Sequence, residues 1–240
     1  MNRERWSEMA ESFSAIASQP AFGETLCSRC RDLLSVSGAA ISLLTATNVA
    51  ALCASGDHYA ALEEAQFTLG EGPSREAFLT GQPVLEDQLS SAAPIRWPAL
   101  AGLVRDARVE GIFAFPLQIG AVRTGVLTLY QKEQAAWSQA QHADALIAAD
   151  ALTHVILSIQ AKAPPGALAE ALRDVGSYRA EVHQASGMLS AQADISVSEA
   201  LVRLRSLAYV SERLISDLAL AVIARRLRLE LLGPNTRCTD

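Results

Sequence analysis

The sequence predicts an α+β domain followed by a smaller all-α module. Two pairs of short apolar runs, in residues 39–54 and 111–130, have the length and flanking breakers of β-hairpins. Apolar residues at helical spacing flank these hairpins, and after Ala163-Pro164-Pro165-Gly166 helical spacing is the only pattern. The chain has 240 residues, more than most single domains contain, so we expect two domains, 1–162 and 163–240.

Two helices are predicted before the first hairpin, over about 5–19 and 22–36. Their apolar residues recur three and four positions apart, as on one face of a helix. These residues are Trp6, Met9, Phe13 and Ile16 in the first helix, and Phe22, Leu26, Cys30, Leu33 and Leu34 in the second.

The hairpins predict an antiparallel sheet with helices packed on it, which is an α+β arrangement. Between about 59 and 110, Gly and Pro breakers predict loops and short helices, and a long helix follows over about 138–161. The predicted strands are 39–45 and 49–54 in the first hairpin, and 111–120 and 124–130 in the second.

The composition is typical of a soluble globular protein, because half the residues are hydrophobic and 19% are charged. The apolar runs are short and the first residues carry acids, so neither a membrane span nor a signal peptide is expected. Four scattered cysteines indicate a reduced, cytoplasmic protein. The four histidines form no ligand pair, and we expect no metal, no cofactor and no catalytic residue.

The net charge of −6 lies entirely in the first domain. Residues 1–162 hold 11 Lys/Arg and 17 Asp/Glu, whereas residues 163–240 hold nine arginines, nine acids and no lysine. Bulk charge therefore does not favour nucleic-acid binding, and any such binding requires a local arginine face.

The second domain is predicted to begin with a helix that carries a heptad-like seam. A helix with one apolar stripe needs a partner, so the seam predicts a homodimer through this helix, packing on the chain's own last helices, or both along different parts of the helix. The seam residues are Leu168, Leu172, Val175, Arg179, Val182, Ser186 and Leu189.

The next helix is predicted to start at Ser196-Val197-Ser198-Glu199, which is a capping-box sequence. In a capping box the Ser196 hydroxyl accepts from the Glu199 amide, and the Glu199 carboxylate accepts from the Ser196 amide. A last helix is predicted over about 214–231.

Five segments of the first domain resemble the GAF domain, in the right order along residues 20–160. The resemblance implies a sensor or dimerisation domain, and it is closest to actinobacterial GAF domains that precede RNA-binding modules. That subfamily usually carries Cys at the position of Ser74. The segments are Leu69-Gly70-Glu71-Gly72-Pro73-Ser74, Thr80-Gly81-Gln82-Pro83-Val84, Arg96-Trp97-Pro98, Phe115-Pro116-Leu117 and Gly125-Val126-Leu127-Thr128-Leu129-Tyr130.

GAF folds commonly present a pocket between the sheet and its connecting loops, which implies an unidentified small-molecule ligand. The alternative is that the aromatic residues of this region simply fill the core. Cys27 and Cys30, one helical turn apart, are expected to be buried packing residues, with a redox pair as the alternative. The residues predicted to line the pocket are Phe67, Arg96, Trp97, Phe113 and Phe115.

The second domain resembles the ANTAR domain, the RNA-binding module of transcription antitermination regulators. This resemblance covers about 50 residues and departs from the family at Ser186, where a Lys is usual. The matching residues are Gln184-Ala185, Gly187-Met188-Leu189, Ser198-Glu199-Ala200, Leu204-Arg205, Ala208, Arg213-Leu214, Leu218-Ala219 and Val222.

The resemblance implies an RNA-binding face on this domain. Arginine can bind phosphate bidentately and stack on unpaired bases, and Tyr209 can stack on a loop base. Inside a helix Gly187 costs about 1 kcal/mol relative to Ala. Its small surface allows another helix or a phosphate backbone to come close. The alternatives are helix packing for Gly187 and a solvated helix end for Arg225, Arg226 and Arg228. The predicted RNA-binding residues are Gln184, Ser186, Gly187, Arg203, Arg205, Tyr209 and Arg213.

The leading hypothesis is a cytoplasmic, homodimeric regulator that binds tandem RNA hairpins and favours antitermination under the control of a GAF sensor. Another hypothesis is a dimerisation or protein-interaction module without RNA binding. A third is an enzyme, because some GAF-like domains reduce methionine sulfoxide with cysteines, but only Cys53 is expected near the pocket.

Overall fold

The structure is a computed structural model that describes residues 2–16, 22–44, 49–133, 136–162, 177–211, 213 and 215–227. The chain divides into two compact units, Met1–Val175 and Gly176–Asp240. The predicted linker, residues 163–166, lies outside the described residues, so the position of the domain boundary stays a prediction.

The first unit is a five-stranded antiparallel sheet with helices on both faces, and both predicted hairpins are confirmed. The strand order is β2-β1-β5-β4-β3. The strands are β1 (Gly38–Leu44), β2 (Val49–Ala54), β3 (Val84–Glu86), β4 (Gly111–Ile119) and β5 (Val122–Gln131). The helices are α1 (Arg3–Ser14), α2 (Phe22–Leu34), α3 (Asp57–Leu69), α4 (Pro73–Thr80), α5 (Leu89–Arg96), α6 (Ala101–Ala107) and α7 (Gln139–Lys162).

The sheet separates two layers because successive side chains of a strand point to opposite faces. On β4, Phe113 and Phe115 pack with α1, α2 and α7, whereas Ile112 and Ala114 pack with α3 to α6. Each layer has its own apolar core.

The stretch expected to hold loops and short helices contains four helices and one strand. The longest helix, α3, ends at Leu69 and is capped by Gly70, which has the left-handed φ of 72° that suits glycine. Pro73 is the first residue of α4. Amides in the first turn of a helix have no partner within the helix, so the missing amide hydrogen of proline costs no hydrogen bond there. The Gly-Glu-Gly-Pro sequence therefore makes the sharp connection between these two helices.

Helix α7 is long and apolar enough to cross a membrane by length and composition, but about half of its most apolar stretch is buried inside the first unit. Leu152 and Ile156 lie in the core between α7 and the sheet. Helix α1 is joined to it by a hydrogen bond from Trp6 Nε1 to Asp150 Oδ2 of 2.6 Å. Helix α7 is therefore a core helix of this unit.

The described residues of the second unit form three helices that pack on one another: α8 (Ser177–Ala193), α9 (Val197–Val210) and α10 (Ile215–Ile223). In the described part of the seam, Val182, Ser186 and Leu189 are buried. This part of the stripe packs on the chain's own helices, which was the alternative to a homodimer. The other seam positions, 168, 172 and 175 and the side chain at 179, lie outside the described residues.

The prediction that the last helix continues to residue 231 is wrong, because α10 ends at Ile223. Arg225 adopts a left-handed φ of 58°. Its amide donates to the carbonyl of Val222 and the Arg226 amide donates to that of Ala221, at 2.9 and 2.8 Å. These bonds close the helix as a Schellman motif. Residues 228–240 lie outside the described residues.

Candidate functional sites in the two units

A buried carboxylate is the centre of the layer between the sheet and α3. The Glu63 side chain is only 2% exposed. Its Oε1 atom accepts from Gln66 Nε2, Ser74 Oγ and Tyr130 OH at 3.0, 2.8 and 2.6 Å. Its Oε2 atom accepts from Ser42 Oγ at 2.9 Å. Four neutral donors thus solvate one buried carboxylate, which is the condition for burying it at a tolerable cost.

The turn between α3 and α4 positions the Ser74 corner of this cluster. The Ser74 amide donates to Gln66 Oε1 at 2.9 Å, and the Ser74 hydroxyl lies 2.9 Å from Thr128 Oγ1 on β5. A Cβ atom on Gly72 would lie 2.5 Å from Gln66 Oε1, so the approach of these segments requires glycine there. Glu63 therefore accepts from donors on four elements, α3, α4, β1 and β5.

Two stacked tyrosine rings close one side of the cluster. The rings of Tyr59 and Tyr130 have centroids 4.9 Å apart at an interplanar angle of 28°. Burial, and then the neighbouring Glu63 charge, raises the pKa of Tyr130 well above its ordinary value of 10.0. Tyr130 therefore stays a neutral donor to Glu63 through the physiological pH range.

In the second unit, the predicted RNA-binding residues do not all reach the surface. Gln184 is exposed on α8 and Gly187 is half-buried there. Ser186 is fully buried, and its hydroxyl donates to the Val182 carbonyl at 2.8 Å. The prediction that Ser186 contacts RNA is therefore wrong for this unit, because the residue faces the helix core.

The capping box at the start of α9 is half formed. The Glu199 amide donates to Ser196 Oγ at 3.1 Å, as predicted. The Glu199 carboxylate, which a full box would return to the Ser196 amide, accepts instead from Arg203 Nη2 at 2.6 Å. Arg203 is thus exposed but already paired with an acid one helical turn away.

The remaining candidates lie on or just after α9. Tyr209 is exposed on the outward face, Arg205 is half-buried at its edge, and Arg213 is exposed in the segment that leaves the helix. Arg225 and Arg226 are exposed beyond the end of α10, and Arg228 lies outside the described residues.

Comparison with known families decides the identity of the first unit. A family model of the GAF domain matches residues 17–151, which is more than half of the chain. The chain belongs to the GAF domain family. GAF domains are sensor domains typical of signal-transduction proteins.

Several solved structures resemble the chain. The GAF domain from Acinetobacter phosphoenolpyruvate-protein phosphotransferase has a TM-score of 0.47 and 11% identity, with 69% of this chain and 99% of that chain covered. The fRMsr of Staphylococcus aureus, in complex with its substrate, has a TM-score of 0.46, 10% identity, and coverage of 62% and 94%. The GAF domain of a two-component sensor histidine kinase from Bacillus halodurans has a TM-score of 0.43, 15% identity, and coverage of 56% and 90%. No curated protein matches the chain.

The residues predicted to line a GAF pocket are not brought together. Phe113 and Phe115 lie in the α7 layer, where Phe113 stacks on Trp137 with centroids 3.9 Å apart. Trp97 is buried in the opposite layer, and Phe67 is buried on α3. The prediction of one pocket is wrong for Phe113 and Phe115, because the pleat of β4 points both rings away from α3.

Arg96 instead forms ion pairs at the surface of the GAF domain. Its guanidinium binds Glu76 of α4 at 2.7 Å and Glu86 of β3 at 3.2 Å, and it lies 4.4 Å from the centre of the Trp97 ring. These contacts join α4, β3 and α5 at the surface, which is a structural role.

The cysteines of the GAF domain lie in the layer opposite Glu63. Cys27, Cys30 and Cys53 are buried together in the apolar core. Burial raises the pKa of Cys27 and of Cys30 well above the ordinary value of 9.0, which disfavours the reactive thiolate. Among the described residues, no group of His, Cys, Asp and Glu is arranged to hold a metal ion.

The central residue of the polar cluster, Glu63, was missed by sequence reasoning. A usable signal exists, because Tyr59, Glu63 and Gln66 recur four and three positions apart among the apolar residues of α3. An acid and an amide on the buried face of a helix indicate a buried polar site.

Proposed function

We propose that this protein is an RNA-binding regulator of transcription antitermination whose output is controlled by its GAF domain and by a ligand of that domain. One observation carries the proposal. The apolar residues on which the ANTAR resemblance rests are the core of the three-helix unit, whereas Arg213 of the same motif stays in solvent. These buried residues, all at most 3% exposed, are Ala185, Leu189, Ala200, Leu204, Ala208, Leu218, Ala219 and Val222.

The RNA-binding residues in this proposal are Gln184, Gly187, Arg205 and Arg213. Arg213 is exposed, and Arg205 lies at the edge of the outward face of α9. Guanidinium groups bind phosphate bidentately and stack on unpaired bases, which suits a hairpin loop. Arg203 is not included, because Glu199 neutralises it.

Dimerisation strengthens this function. A homodimer presents two RNA-binding units, and tandem hairpins can occupy both. The second contact then forms at high effective concentration, so two weak contacts bind tightly.

The experiment is a titration of the full chain with a two-hairpin RNA at several salt concentrations. We expect affinity to fall with salt, and the double variant Arg205→Gln/Arg213→Gln to bind more weakly with a slope reduced by about 1 per lost phosphate contact. Arg105→Gln is the matched control, since Arg105 is an exposed arginine of the GAF domain. Equal affinity and slope for the double variant and the wild type would remove Arg205 and Arg213 from this role, provided that both melt at the same temperature.

A protein-interaction module without RNA binding is the second candidate. It is favoured by the outward face of α9, where Val202 and Val210 are exposed and the Glu199–Arg203 pair cancels its own charge. Absence of any salt-dependent RNA binding in the same titration would favour this candidate.

A further inference from the structure

Three buried thiols come together where α2 packs on β1 and β2 of the GAF domain. Cys27 and Cys30 lie three residues apart on α2 and are fully buried, and Cys53 on β2 is 1% exposed. The Cys27 thiol forms a hydrogen bond with the Cys53 thiol. Cys30 lies close enough to Cys53 for the two thiols to interact electrostatically. Cys53 is therefore the thiol that both α2 thiols approach.

The register of the sheet fixes the position of Cys53. It pairs with Ile41 of β1, and directly opposed residues of an antiparallel pair point to the same face of the sheet. The Cys27 thiol is also hydrogen-bonded to the backbone of Ile41. Cys27 thus contacts both members of one cross-strand pair. Its contact with Cys53 therefore follows from the packing of α2 on the β1–β2 hairpin.

Packing and metal binding are the other uses of a buried thiol cluster. No group of His, Cys, Asp and Glu among the described residues is arranged to hold a metal ion. Packing requires only apolar side chains of the right volume. Two thiols in contact can in addition be joined covalently, and disulfides that form in a reducing compartment are usually transient and redox-sensing.

We propose that Cys27 and Cys53 are a modification site, at which a hydroperoxide converts the two thiols to a reversible disulfide that joins α2 to β2. The Cys53 thiolate attacks one oxygen of hydrogen peroxide, so the O–O bond breaks and a sulfenic acid forms. The Cys27 sulfur then attacks the sulfenic sulfur, so the S–S bond forms and the S–O bond breaks. The two thiol protons leave with the two oxygens, and two thiols and one peroxide give one disulfide and two waters. Two exchanges with a small thiol restore both cysteines.

The position of β2 at the edge of the sheet gives an oxidant its route to these buried thiols. Strand β2 is first in the order β2-β1-β5-β4-β3, so it opens by breaking its ladder with β1 alone. That ladder already has a register shift between Leu43 and Leu44. Opening of β2 exposes Cys53, which is why the first attack is assigned to it. We therefore expect oxidation to be slow and limited by the opening of this strand.

The disulfide holds the edge of the sheet in place. It closes a ring over residues 27–53 that contains all of β1, so it limits how far α2 and β2 can separate. The oxidised protein should therefore unfold at a higher urea concentration than the reduced protein. This inference goes beyond the proposed function, because it names a covalent signal for the GAF domain and involves no residue of the second unit.

Tryptic mapping of the full chain after treatment with hydrogen peroxide and alkylation tests the pairing. Trypsin cuts after lysine and arginine, so the four cysteines fall in four different peptides, 6–29, 30–31, 32–75 and 238–240. The folded chain is expected to lose two free thiols and to yield peptide 6–29 joined to peptide 32–75. In urea the main product should change to 6–29 joined to 30–31, because closing a shorter loop costs less entropy.

Single variants separate this pair from the third thiol. Each is made together with Cys238→Ser, which excludes disulfides through that cysteine. Cys30→Ala is the matched control and is expected to keep both the disulfide and the shift of the urea midpoint on oxidation. Cys27→Ala and Cys53→Ala should lose both, and dithiothreitol should reverse the shift wherever it occurs.

Three results would overturn the proposal. One is a folded chain that keeps all its thiols at a peroxide exposure that oxidises the half-buried Met188. Another is a Cys27–Cys30 disulfide as the main product of the folded chain, and the third is sulfinic or sulfonic acid at Cys53 without a disulfide. The mapping uses the unaltered chain, so it decides the matter even where a variant fails to fold. No RNA is present, so the outcome is independent of the titration that tests the proposed function.

Discussion

Removing the Glu63 carboxylate is expected to destabilise the GAF domain by about 4 kcal/mol. The variant is Glu63→Ala. It takes away the acceptor of four hydrogen bonds, those from Ser42, Gln66, Ser74 and Tyr130. A buried donor left without an acceptor costs about 1–3 kcal/mol.

The magnitude follows from which donors can find another acceptor. The two serine hydroxyls can rotate, and Ser74 already lies 2.9 Å from Thr128 Oγ1. The Gln66 amide and the Tyr130 hydroxyl are directed at the lost carboxylate, so they account for about 2 kcal/mol each. The variant no longer bears the free-energy cost of burying an anion, and this gain offsets the cost of the cavity that the missing side chain leaves.

Glu63→Gln separates the hydrogen bonds from the charge. The amide oxygen can keep the three donors of Oε1, and its N–H group can donate to a rotated Ser42 hydroxyl. Only charge assistance is lost, so we expect a cost of about 1–2 kcal/mol. Glu24→Ala, on the exposed surface of α2, is the control and is expected to stay within about 0.5 kcal/mol of wild type.

Tryptophan fluorescence during urea unfolding of the full chain measures this effect. The three tryptophans, Trp6, Trp97 and Trp137, all lie in the first unit, so their emission reports on the GAF domain. A cost below about 1 kcal/mol for Glu63→Ala, or an equal cost for Glu63→Gln and Glu63→Ala, would contradict this role of the Glu63 hydrogen bonds.

Three further changes test other parts of the structure. The folded-state pKa of Tyr130 is raised well above its unfolded value of 10.0, so its stabilisation is fully present below about pH 10 and is lost as the pH rises from there through the folded-state pKa; Tyr130→Phe should make the fall in urea stability above about pH 10 shallower. Gly125→Ala would drive a Cβ atom into the Ser42 carbonyl oxygen, so we expect a loss of about 3 kcal/mol or more in the fluorescence assay. Arg225→Gly should stabilise the second unit by about 1 kcal/mol in circular-dichroism melts, because Arg225 has a left-handed φ of 58°, whereas Arg226→Gly should not.

The apolar layers were predictable from the sequence because they rest on periodicity. The hairpin strands and α7 were found within one or two residues of their ends. Their side chains alternate, or recur at helical spacing, over long enough stretches to exclude other structures. The end of α10 was missed for a local reason. A left-handed residue after a helix is usually glycine or asparagine, and here it is Arg225.

The polar cluster was not predictable in the same way, because its members come from distant segments. Ser42, Glu63 and Thr128 are unremarkable alone, and only the register of β1 with β5, which pairs Ser42 with Val126, brings them to one place. The pocket prediction failed for a related reason. The pleat shows that Phe113 and Phe115 share a face of β4, but only the fold shows which helices cover that face.

The burial of Ser186 changes how the missing lysine is weighed. In this chain position 186 faces the helix core, so its identity reports on packing and not on the charge presented to RNA. The absence of that lysine therefore does not count against the proposed RNA binding, which depends on Arg205 and Arg213.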